Sequence, residues 1–468
     1  MTGRELNEEC GIIGLYNVPH ASVLAYYALH SLQHRGEEGA GIVTREDNSE
    51  FHCVKNRGLA SDIFKEKDLK ALKGNYALGH VSYSGLFKRG GLENVQPLFF
   101  KHSTGDFAVA HNGNITNSDQ LRYELEQQGS IFQSTSDSEI IAHLIKMNRT
   151  TNRAQALKEA VLKLEGAFAF AIMTQHGLYA CRDRDGLRPL CIGKIGEDGY
   201  VIASESCAFE IIGATFVRDV LPGEMIYIRD GKLNSSFFVK PNTNKICAME
   251  YIYFARPDSV MDGRSIYEVR KKAGEILYRE NPTEADMVVG VPDSSLPAAA
   301  GYAKASGIPF ELALLKNKYV GRTFILPDQQ LRERGVLMKL SVIAPLVKGK
   351  RIVLVDDSIV RGTTSRRIVG MLKRAGAKEV HVRIASPTFL HPCYYGVDTE
   401  TYDELIGHFR SVEEIRELIG ADSLSYLSAE GLVESVGIPD ICRACFTGEY
   451  PVPVKGKEVL PPVYEQKK

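Results

Sequence analysis

The chain has 468 residues, of which 44% are hydrophobic and 25% are charged, and its formal net charge is −1. This length predicts two or more domains with substantial cores. The balanced charge offers no positive field for nucleic acid or an anionic membrane, and no apolar run is long enough to span a bilayer. Nine cysteines are an odd number for a disulfide framework, which favours a reduced, cytoplasmic setting.

The first half of the chain alternates short apolar strands with amphipathic helices, which predicts an α/β sandwich as far as residue 238. The predicted strands are residues 10–16, 39–44, 77–83, 107–111, 168–174, 201–204 and 224–229. The predicted helices are residues 21–33, 118–127, 136–146 and 153–164. A polar run at 240–245 reads as a linker.

After the linker, strands and helices alternate as βαβ units do, which predicts a parallel sheet. One unit runs from a strand at 286–290 into an Ala-rich helix ending near residue 306. Another has a continuous apolar strand at 352–355 and a helix from residue 366 to about residue 375. Residues 404–418 and 429–436 carry helical patterns. The tail after Tyr450 is rich in Pro and Lys, and we expect it to be poorly ordered.

Two adjacent carboxylates, Asp356 and Asp357, end the apolar strand, and a loop of small and hydroxylated residues follows them. Strand, hydroxyl-rich turn and helix N-terminus together form an arrangement that binds phosphate, because free N–H groups and hydroxyls face the anion. The stretch lacks the Walker pattern. Two acids before a phosphate cradle suit a sugar phosphate, since carboxylates accept from ribose hydroxyls. For the two acids alone, an ordinary strand-turn-helix would be the simpler interpretation.

This stretch resembles the phosphoribosyl-pyrophosphate (PRPP) motif of type I phosphoribosyltransferases. The resemblance implies that PRPP binds to Asp356, Asp357, Ser358, Arg361, Gly362, Thr363, Thr364, Ser365 and Lys339. The loop Val291-Pro-Asp-Ser-Ser295 is similar to the pyrophosphate loop of that family, so Mg²⁺ is expected at Ser294, Asp356 and Asp357. A basic run such as that from Lys316 to Lys339 is usually a solvated face, but Gly321 and Thr323 interrupt it, which predicts a mobile lid over the leaving pyrophosphate.

Several short motifs occur in order along the first half. They are Cys10-Gly-Ile-Ile-Gly, Gln33-His-Arg-Gly-Glu-Glu-Gly-Ala-Gly41, Gly79-His-Val, His111-Asn-Gly-Asn114 and Ser136-Asp-Ser-Glu139. Singly each is weak, and a cysteine on a first strand is usually a small buried hydrophobe. Their order and spacing together resemble the class II glutamine amidotransferases, which have an N-terminal-nucleophile hydrolase fold.

The resemblance implies that residues 1–9 are removed, so that Cys10 carries both the thiol nucleophile and an α-amine able to act as its base. Asn112 and Gly113 would form the oxyanion hole. Asp137 would hold the α-amino group of glutamine, and Arg35 belongs to the same pocket by motif. Without Cys10 upstream, Asn-Gly would be read as a plain turn.

One position departs from that family pattern. The motif after Gly-His-Val normally continues Arg-Tyr, and its arginine grips the glutamine carboxylate, whereas this chain has Ser82. A serine hydroxyl cannot replace the charge or the fork geometry of a guanidinium. Either Lys88 or Arg89 supplies the missing cation, or the enzyme works mainly on free ammonia; we expect partial compensation.

Four cysteines stand apart from the rest. Cys442 and Cys445 form a Cys-x-x-Cys pair, and Cys393 and Cys247 lie upstream. Spacing alone is compatible with a zinc site of four thiolates. The positions resemble the ligands of a [4Fe–4S] cluster in one branch of the glutamine PRPP amidotransferases.

Both halves in this order resemble the Bacillus-like, iron–sulfur type of that family. The resemblance implies a propeptide at 1–9, a glutaminase domain at 10–238, a phosphoribosyltransferase domain at 246–450 and a tail at 451–468. It also implies synthesis of 5-phosphoribosylamine from PRPP and glutamine in purine biosynthesis, purine nucleotides as inhibitors, and a homotetramer. The alternatives are a PRPP-sensing regulator, an ammonia-using paralogue and a sugar-phosphate amidotransferase.

Overall fold

The computed structural model describes residues 10–82, 91–148, 150, 152–317, 340–399, 401–454 and 456–464. The first half contains two antiparallel sheets. The seven-stranded sheet has the order Thr215–Asp219, Cys191–Ile195, Gly199–Ala203, Gly11–Tyr16, Tyr76–Ser82, Gly39–Arg45 and Phe51–Arg57. The six-stranded sheet has the order Lys232–Phe237, Glu224–Arg229, Gly177–Arg182, Gly166–Thr174, Phe107–Ile115 and Leu98–Phe100.

Helices cover the outer face of each sheet. Those on the seven-stranded sheet are Ala21–Ser31, Ala60–Ile63, Glu66–Ala71 and Cys207–Glu210. Those on the six-stranded sheet are Ser118–Gln127, Glu139–Met147 and Arg153–Val161. The inner faces of the two sheets pack on each other through small and aliphatic side chains. The four layers form an αββα sandwich, as predicted from the sequence.

The first strand shows why this sequence gives two cores. Ile13 and Leu15 point toward the helices, whereas Ile12 and Tyr16 point toward the second sheet. Successive side chains of a strand face opposite sides, so a strand that is apolar throughout needs cover on both faces. Glutamate or lysine at any of these four positions would bury a charge between layers.

The strand ending before Asn112 was predicted too short. It continues to Ile115 instead of ending at residue 111, so Asn112 and Gly113 pair with Ala169 and Phe168 and do not form a turn. The helix expected at 136–146 is Glu139–Met147, and the helix expected at 21–33 ends at Ser31. Propensity and pattern place element ends only to within a few residues.

The second half contains the predicted parallel sheet, with the order Met287–Gly290, Arg351–Asp356, Glu379–Ile384 and Ser423–Tyr426. Two short antiparallel pairs accompany it, Val260–Met261 with Arg264–Ser265 and Leu314–Lys316 with Leu340–Val342. The α-helices are Ile266–Glu280, Leu296–Ser306, Ala344–Val347, Thr363–Arg374, Ile406–Phe409, Val412–Ile419, Ala429–Val436 and Ala444–Thr447. A π-helical turn spans Glu250–Phe254, and 3₁₀ turns span Gln33–Arg35, Leu92–Asn94 and Tyr402–Glu404.

The sheet strand Arg351–Asp356 is buried on both faces. Val353 and Val355 join the core beneath the helices Ile266–Glu280 and Leu296–Ser306, and Ile352 and Leu354 join the core on the other side. Its C-terminal end brings Asp356 and Asp357 to the edge where loops connect strands to helices, which is where open α/β sheets bind ligands.

Three expectations for this half differ from the structure. The helix after the two aspartates begins at Thr363 instead of residue 366, and strand Ser423–Tyr426 was not predicted. The tail does not lie loose where it is described, because Val452 is buried and its N–H and C=O both bond to the Tyr395 hydroxyl. Among the described residues, no helix is long and apolar enough to cross a membrane.

Two helices of the second half approach each other through glycine. A Cβ on Gly274 would lie 1.8 Å from the carbonyl oxygen of Ala298, and one on Gly301 would lie 1.9 Å from that of Lys271. Helices Ile266–Glu280 and Leu296–Ser306 therefore contact each other backbone to backbone. This contact sets the position of the loop at 291–295, which enters the second helix.

We predict that Gly274→Ala lowers the stability of this half by about 2–3 kcal/mol, because the added methyl forces two helices apart. Gly370→Ala is the matched control, since its Cβ would meet only the flexible Arg374 side chain at 3.2 Å. Alanine in a helix interior gains roughly 0.5–1 kcal/mol over glycine. Thermal unfolding monitored by circular dichroism should show a lower transition for the first variant and an equal or higher one for the control.

Candidate functional site

Cys10 immediately precedes the central strand of the seven-stranded sheet and is half-buried. Gly11 follows it, and a Cβ there would lie 2.9 Å from Val81 and 3.1 Å from Leu32, so glycine lets this strand start close to its neighbours. The Cys10 carbonyl accepts a hydrogen bond of 3.3 Å from Nε of Arg35. The candidate nucleophile thus lies at a strand end, with its backbone held by a guanidinium.

Asn112 carries a fully buried carboxamide. Neither its Nδ2 nor its Oδ1 has a hydrogen-bond partner among the residues that the structure describes. Buried polar groups are almost always paired, so an unpaired one needs an explanation. Gly113 follows with φ 139°, and a Cβ there would lie 2.1 Å from the carbonyl oxygen of Ala167, which excludes every other residue. An amide left free for a ligand is what an oxyanion hole requires.

The residue before Asn112 is fixed by two side chains. The N–H of His111 donates to Gln96 Oε1 over 2.6 Å, and its carbonyl accepts from His80 Nε2 over 3.0 Å. Burial lowers the pKa of His80 to about 3, so its ring is neutral. With Nε2 protonated, the Nδ1 of the same ring accepts from the hydroxyl of Ser82 over 3.1 Å.

His80 therefore connects the two sheets at this corner. It pairs with Ile12 in the seven-stranded sheet, two residues after Cys10, and its ring bonds the six-stranded sheet one residue before Asn112. Ser82 is buried and its hydroxyl is used within the protein. Lys88 and Arg89, the expected substitutes for the missing arginine, lie outside the described residues.

Asp137 lies next to strand Phe107–Ile115, which contains Asn112. Its Oδ2 accepts from the N–H of Ile115 over 2.9 Å, and its Oδ1 lies 3.8 Å from Nδ1 of His111. The carboxylate is 22% exposed, so it remains accessible to a solute.

Arg35 was expected in the glutamine pocket by motif. The structure places its guanidinium at 0% exposure, in ion pairs with Glu205 at 2.7 Å and Glu250 at 2.8 Å. Burial alone would raise the pKa of Glu205, but the neighbouring His34 and Arg35 lower it well below its usual range. Nε of Arg35 contacts the backbone carbonyl of Cys10, and its Nη atoms donate to the carboxylates of Glu205 and Glu250.

Asp356 and Asp357 meet the loop 291–295 at the edge of the parallel sheet. Ser295 Oγ donates to Asp356 over 3.1 Å, and Ser294 Oγ donates to Asp357. Ser358 Oγ donates to the other oxygen of Asp357 over 2.8 Å. Burial raises the pKa of Asp357 although these hydroxyls oppose the rise. The two loops predicted to bind PRPP and pyrophosphate therefore form one polar site.

The loop after the aspartates turns into a helix at Gly362, whose φ of 73° is in the left-handed region that glycine adopts readily. Thr363, Thr364 and Ser365 then form the first turn, where backbone N–H groups lack intrahelical partners. Arg361 pairs with Glu404 over 2.5 Å. Lys339 and most of the predicted lid lie outside the described residues.

The four singled-out cysteines come together. The N–H of Cys442 donates to the carbonyl of Ile246 over 2.9 Å, which brings the chain beside Cys247. Burial raises the pKa of Cys445, and the charges of Cys247, Cys393 and Cys442 add to the rise, as they do only at short range. The N–H of Tyr395 donates to Sγ of Cys393 over 3.4 Å.

These four thiols leave room for a cluster, since in the part of the chain that the structure describes no three of their Sγ atoms lie within 4.8 Å of one another, as the ligands of one zinc ion would. All four are free cysteines. Coordination to a metal would deprotonate these buried thiols, and the metal would neutralise the charge of the resulting thiolates. A backbone N–H on a sulfur is a common feature of cluster ligands, because it stabilises negative charge there. A group bound to all four sulfurs would also tie together segments that are far apart in sequence, so its binding would stabilise the fold.

Sequence reasoning missed several residues of these sites. His80 was visible in the Gly79-His-Val motif, but nothing in the sequence indicated that its ring would bridge two sheets. Gln96 and Glu205 stood in no motif, and neither did Arg188, whose Nη1 donates to Glu250 over 3.3 Å. Each is a charged or amide side chain next to an apolar strand. That pattern occurs many times in one sequence, so it could not single out these residues.

The fold and sites agree with comparisons to known proteins. A family profile described as a glutamine amidotransferase domain matches residues 90–210, and one described as a phosphoribosyl transferase domain matches residues 259–405. An amidotransferase sandwich followed by a phosphoribosyltransferase sheet defines a two-domain enzyme that is both a glutamine amidotransferase and a phosphoribosyl transferase.

Full-length relatives are more specific. The amidophosphoribosyltransferase of Bacillus subtilis (strain 168) is 53% identical over 98% of this chain and 98% of its own. That of Staphylococcus aureus (strain MRSA252) is 49% identical over 95% of this chain and 91% of its own. A solved structure of B. subtilis glutamine PRPP amidotransferase complexed with ADP and GMP has a TM-score of 0.91 at 52% identity, covering 97% of this chain and 100% of that one. This chain belongs to the amidophosphoribosyltransferase family.

Proposed function

We propose that this enzyme converts PRPP, glutamine and water into 5-phosphoribosylamine, pyrophosphate and glutamate, the first committed step of purine biosynthesis. One observation supports this most. The half-buried Cys10 precedes a strand that His80 links to the strand of Asn112, whose carboxamide has no hydrogen-bond partner among the described residues, and the same chain carries the Asp356–Asp357 site. The relatives named for this activity match over nearly the full length of both proteins.

At the first site, the Cys10 thiol attacks the carboxamide carbon of glutamine. The α-amine of the same residue takes the thiol proton. The oxyanion forms next to Asn112 Nδ2 and the N–H of Gly113, which need no reorganisation because His80 and Gln96 already fix this strand. The α-ammonium gives this proton to the departing nitrogen, ammonia leaves, and water hydrolyses the thioester to glutamate and the free thiol. Asp137 receives the α-amino group of the substrate.

At the second site, Asp356 and Asp357 accept from the ribose hydroxyls of PRPP. The 5′-phosphate lies on the first turn of helix Thr363–Arg374, with Arg361, Gly362 and Ser365 around it. Lys339 is proposed to contact the pyrophosphate. Ammonia from the first site passes between the two halves to C1 of the ribose and displaces pyrophosphate there. Separation from bulk water keeps it unprotonated.

Two cofactors belong to the proposal. Mg²⁺ fits Ser294, Asp356 and Asp357, which present carboxylate and hydroxyl oxygens, the ligands that this ion prefers. When bound, it neutralises charge on the leaving pyrophosphate. A [4Fe–4S] cluster fits Cys247, Cys393, Cys442 and Cys445 as a structural clip between the start and the end of the second half.

The remaining features rest on relatives. A solved relative is complexed with ADP and GMP, and another is described as the allosteric regulatory enzyme of purine biosynthesis. We propose by analogy that purine nucleotides inhibit this enzyme. The proposals that it is a homotetramer and works in the cytoplasm rest on the family resemblance and the cysteine content of the sequence alone. A regulator lacking activity is not favoured, since the full-length relatives are named as enzymes.

Substitutions at the first site separate the two halves of the reaction. We predict that Cys10→Ala abolishes glutamine-dependent pyrophosphate release and leaves ammonia-dependent release unchanged. Asn112→Ala should lower glutamine-dependent kcat by about 10²–10³-fold, the usual cost of one oxyanion donor. Coupled assays with glutamine and then with ammonium salt measure both. Loss of ammonia-dependent activity in Cys10→Ala would contradict separate sites.

The mature N-terminus provides a second test. We predict that residues 1–9 are removed, because the base proposed for Cys10 is its own free α-amine. Intact-mass spectrometry of active enzyme should give a chain that starts at Cys10. An active enzyme that retains Met1 or Thr2 would show that another group is the base.

Metal analysis tests the cysteine site. Anaerobically purified protein should be brown and contain about four irons and four sulfides per chain. Cys445→Ser should lose the colour and unfold at lower temperature, whereas Cys181→Ser, a buried cysteine in the other half, should keep the colour. Stoichiometric zinc without sulfide would identify the site as a zinc site.

A further inference from the structure

A fully buried ion pair joins the two halves of the chain. Arg35, in the amidotransferase sandwich, donates from Nη1 to Oε2 of Glu250 over 2.9 Å and from Nη2 to Oε1 over 2.8 Å. Both side chains have 0% exposure. Two parallel N–H···O bonds fix a guanidinium in position and in plane, which a single contact cannot do.

The opposite edge of the same guanidinium reaches Cys10. Nε of Arg35 donates to the Cys10 carbonyl over 3.3 Å, and Nη1 also donates to Glu205 over 2.7 Å. Glu250 additionally accepts from Nη1 of Arg188 over 3.3 Å. Two arginines and two glutamates thus lie in one buried cluster, and Nε2 of His34 contacts Glu205 over 2.7 Å. The backbone of the nucleophile is held through a group whose orientation Glu250 sets.

Glu250 begins the π-helical turn Glu250–Phe254 of the second half. The carbonyl of Tyr251 in that turn accepts from Arg270 Nε over 2.7 Å. Arg270, Ser294 and Asp357 line one small cavity under the PRPP site, and Tyr251 lines it too. The turn that contacts Arg35 is therefore packed against the other reaction site.

We propose that Glu250 is a positioning residue for glutamine hydrolysis, supplied to the amidotransferase site by the phosphoribosyltransferase half. It acts through Arg35 on Cys10 and does not touch substrate. The inference rests on the proposed role of Cys10 as nucleophile. Its consequence is that the sandwich alone does not hold a competent glutaminase site.

Removing the charge has a distinctive effect. In Glu250→Gln the shape is nearly kept, but Arg35 and Arg188 lose a buried counter-charge. An uncompensated cation next to Cys10 favours thiolate over thiol and amine over ammonium, so both groups at this residue should titrate at lower pH. A role confined to holding the fold would change stability without moving this titration.

The test uses full-length, processed enzyme with Glu250→Gln and Glu250→Asp. Glu434→Gln is the matched control, since it removes an exposed ion pair with Arg279 in the same half. We expect Glu250→Gln to lower glutamine kcat/KM by about 10–100-fold, the cost of losing one or two charged hydrogen bonds, with ammonia-dependent turnover unchanged. The pH profile of Cys10 alkylation by iodoacetamide should shift to lower pH. Glu250→Asp keeps the charge and should keep that profile while losing glutamine turnover.

The outcomes are separable. A parent enzyme without glutaminase activity would refute the proposed function itself. An active parent with an unaltered Glu250→Gln variant, in kinetics and in alkylation profile, would overturn this inference alone, as would equal loss of glutamine- and ammonia-dependent turnover. If Glu250→Gln fails to fold, Glu250→Asp decides: selective loss of glutamine turnover supports the inference, and unchanged or equally reduced activities overturn it.

Discussion

One contact between the two halves of the chain buries a cluster of charged side chains, beside an apolar contact around Leu187 and Tyr395. Arg35, Arg188, Glu205 and Glu250 are all removed from water, and a buried ion is tolerated only when it is paired and hydrogen-bonded. Apolar side chains of equal volume would pack with less desolvation cost. They would, however, slide more freely, whereas a bidentate pair fixes one relative orientation. The charged cluster fixes the orientation of the two halves of the chain relative to each other, and it does so next to Cys10.

The two candidate sites form in different ways, since Asp356 ends its strand whereas Asn112 lies within strand Phe107–Ile115. In the parallel sheet, the C-terminal ends of all strands lie at one edge, so the topology alone brings Asp356 and the loop 291–295 together. In the antiparallel sandwich, ends alternate, and convergence of Cys10 with Asn112 needs a specific link. His80 provides it by bonding the opposite sheet while remaining neutral. Linking two antiparallel sheets in this way requires more side chains in fixed positions, and His80 and Gln96, which provide the link, are both buried.

Sequence reasoning succeeded where local pattern and chemistry coincide. The strand before Asp356 and a helix after the hydroxyl-rich loop follow from apolar runs and helical pattern, although the helix begins three residues earlier than predicted. It failed where a long-range contact overrides a local preference. Asn112-Gly113 has strong turn propensity, but pairing with Ala169 and Phe168 keeps it in a strand. The tail looks unstructured by composition, yet the Tyr395 hydroxyl bonds both backbone groups of Val452. Arg35 could be assigned to a neighbourhood by motif, but its partners, Glu205 and Glu250, could not be identified without coordinates.

The cysteine site has a consequence for biosynthesis. Its first ligand segment lies at the start of the second half and its last near the end of the chain, and the two run side by side through Cys247 and Cys442. A ribosome delivers the chain from the N-terminus, and domains generally fold in that order. Every strand of the sandwich has emerged before Cys247 does, whereas the four thiols can meet only after Cys445 has left the exit tunnel. A metal or cluster held by all four thiols would therefore bind only after every strand of the sandwich has left the ribosome.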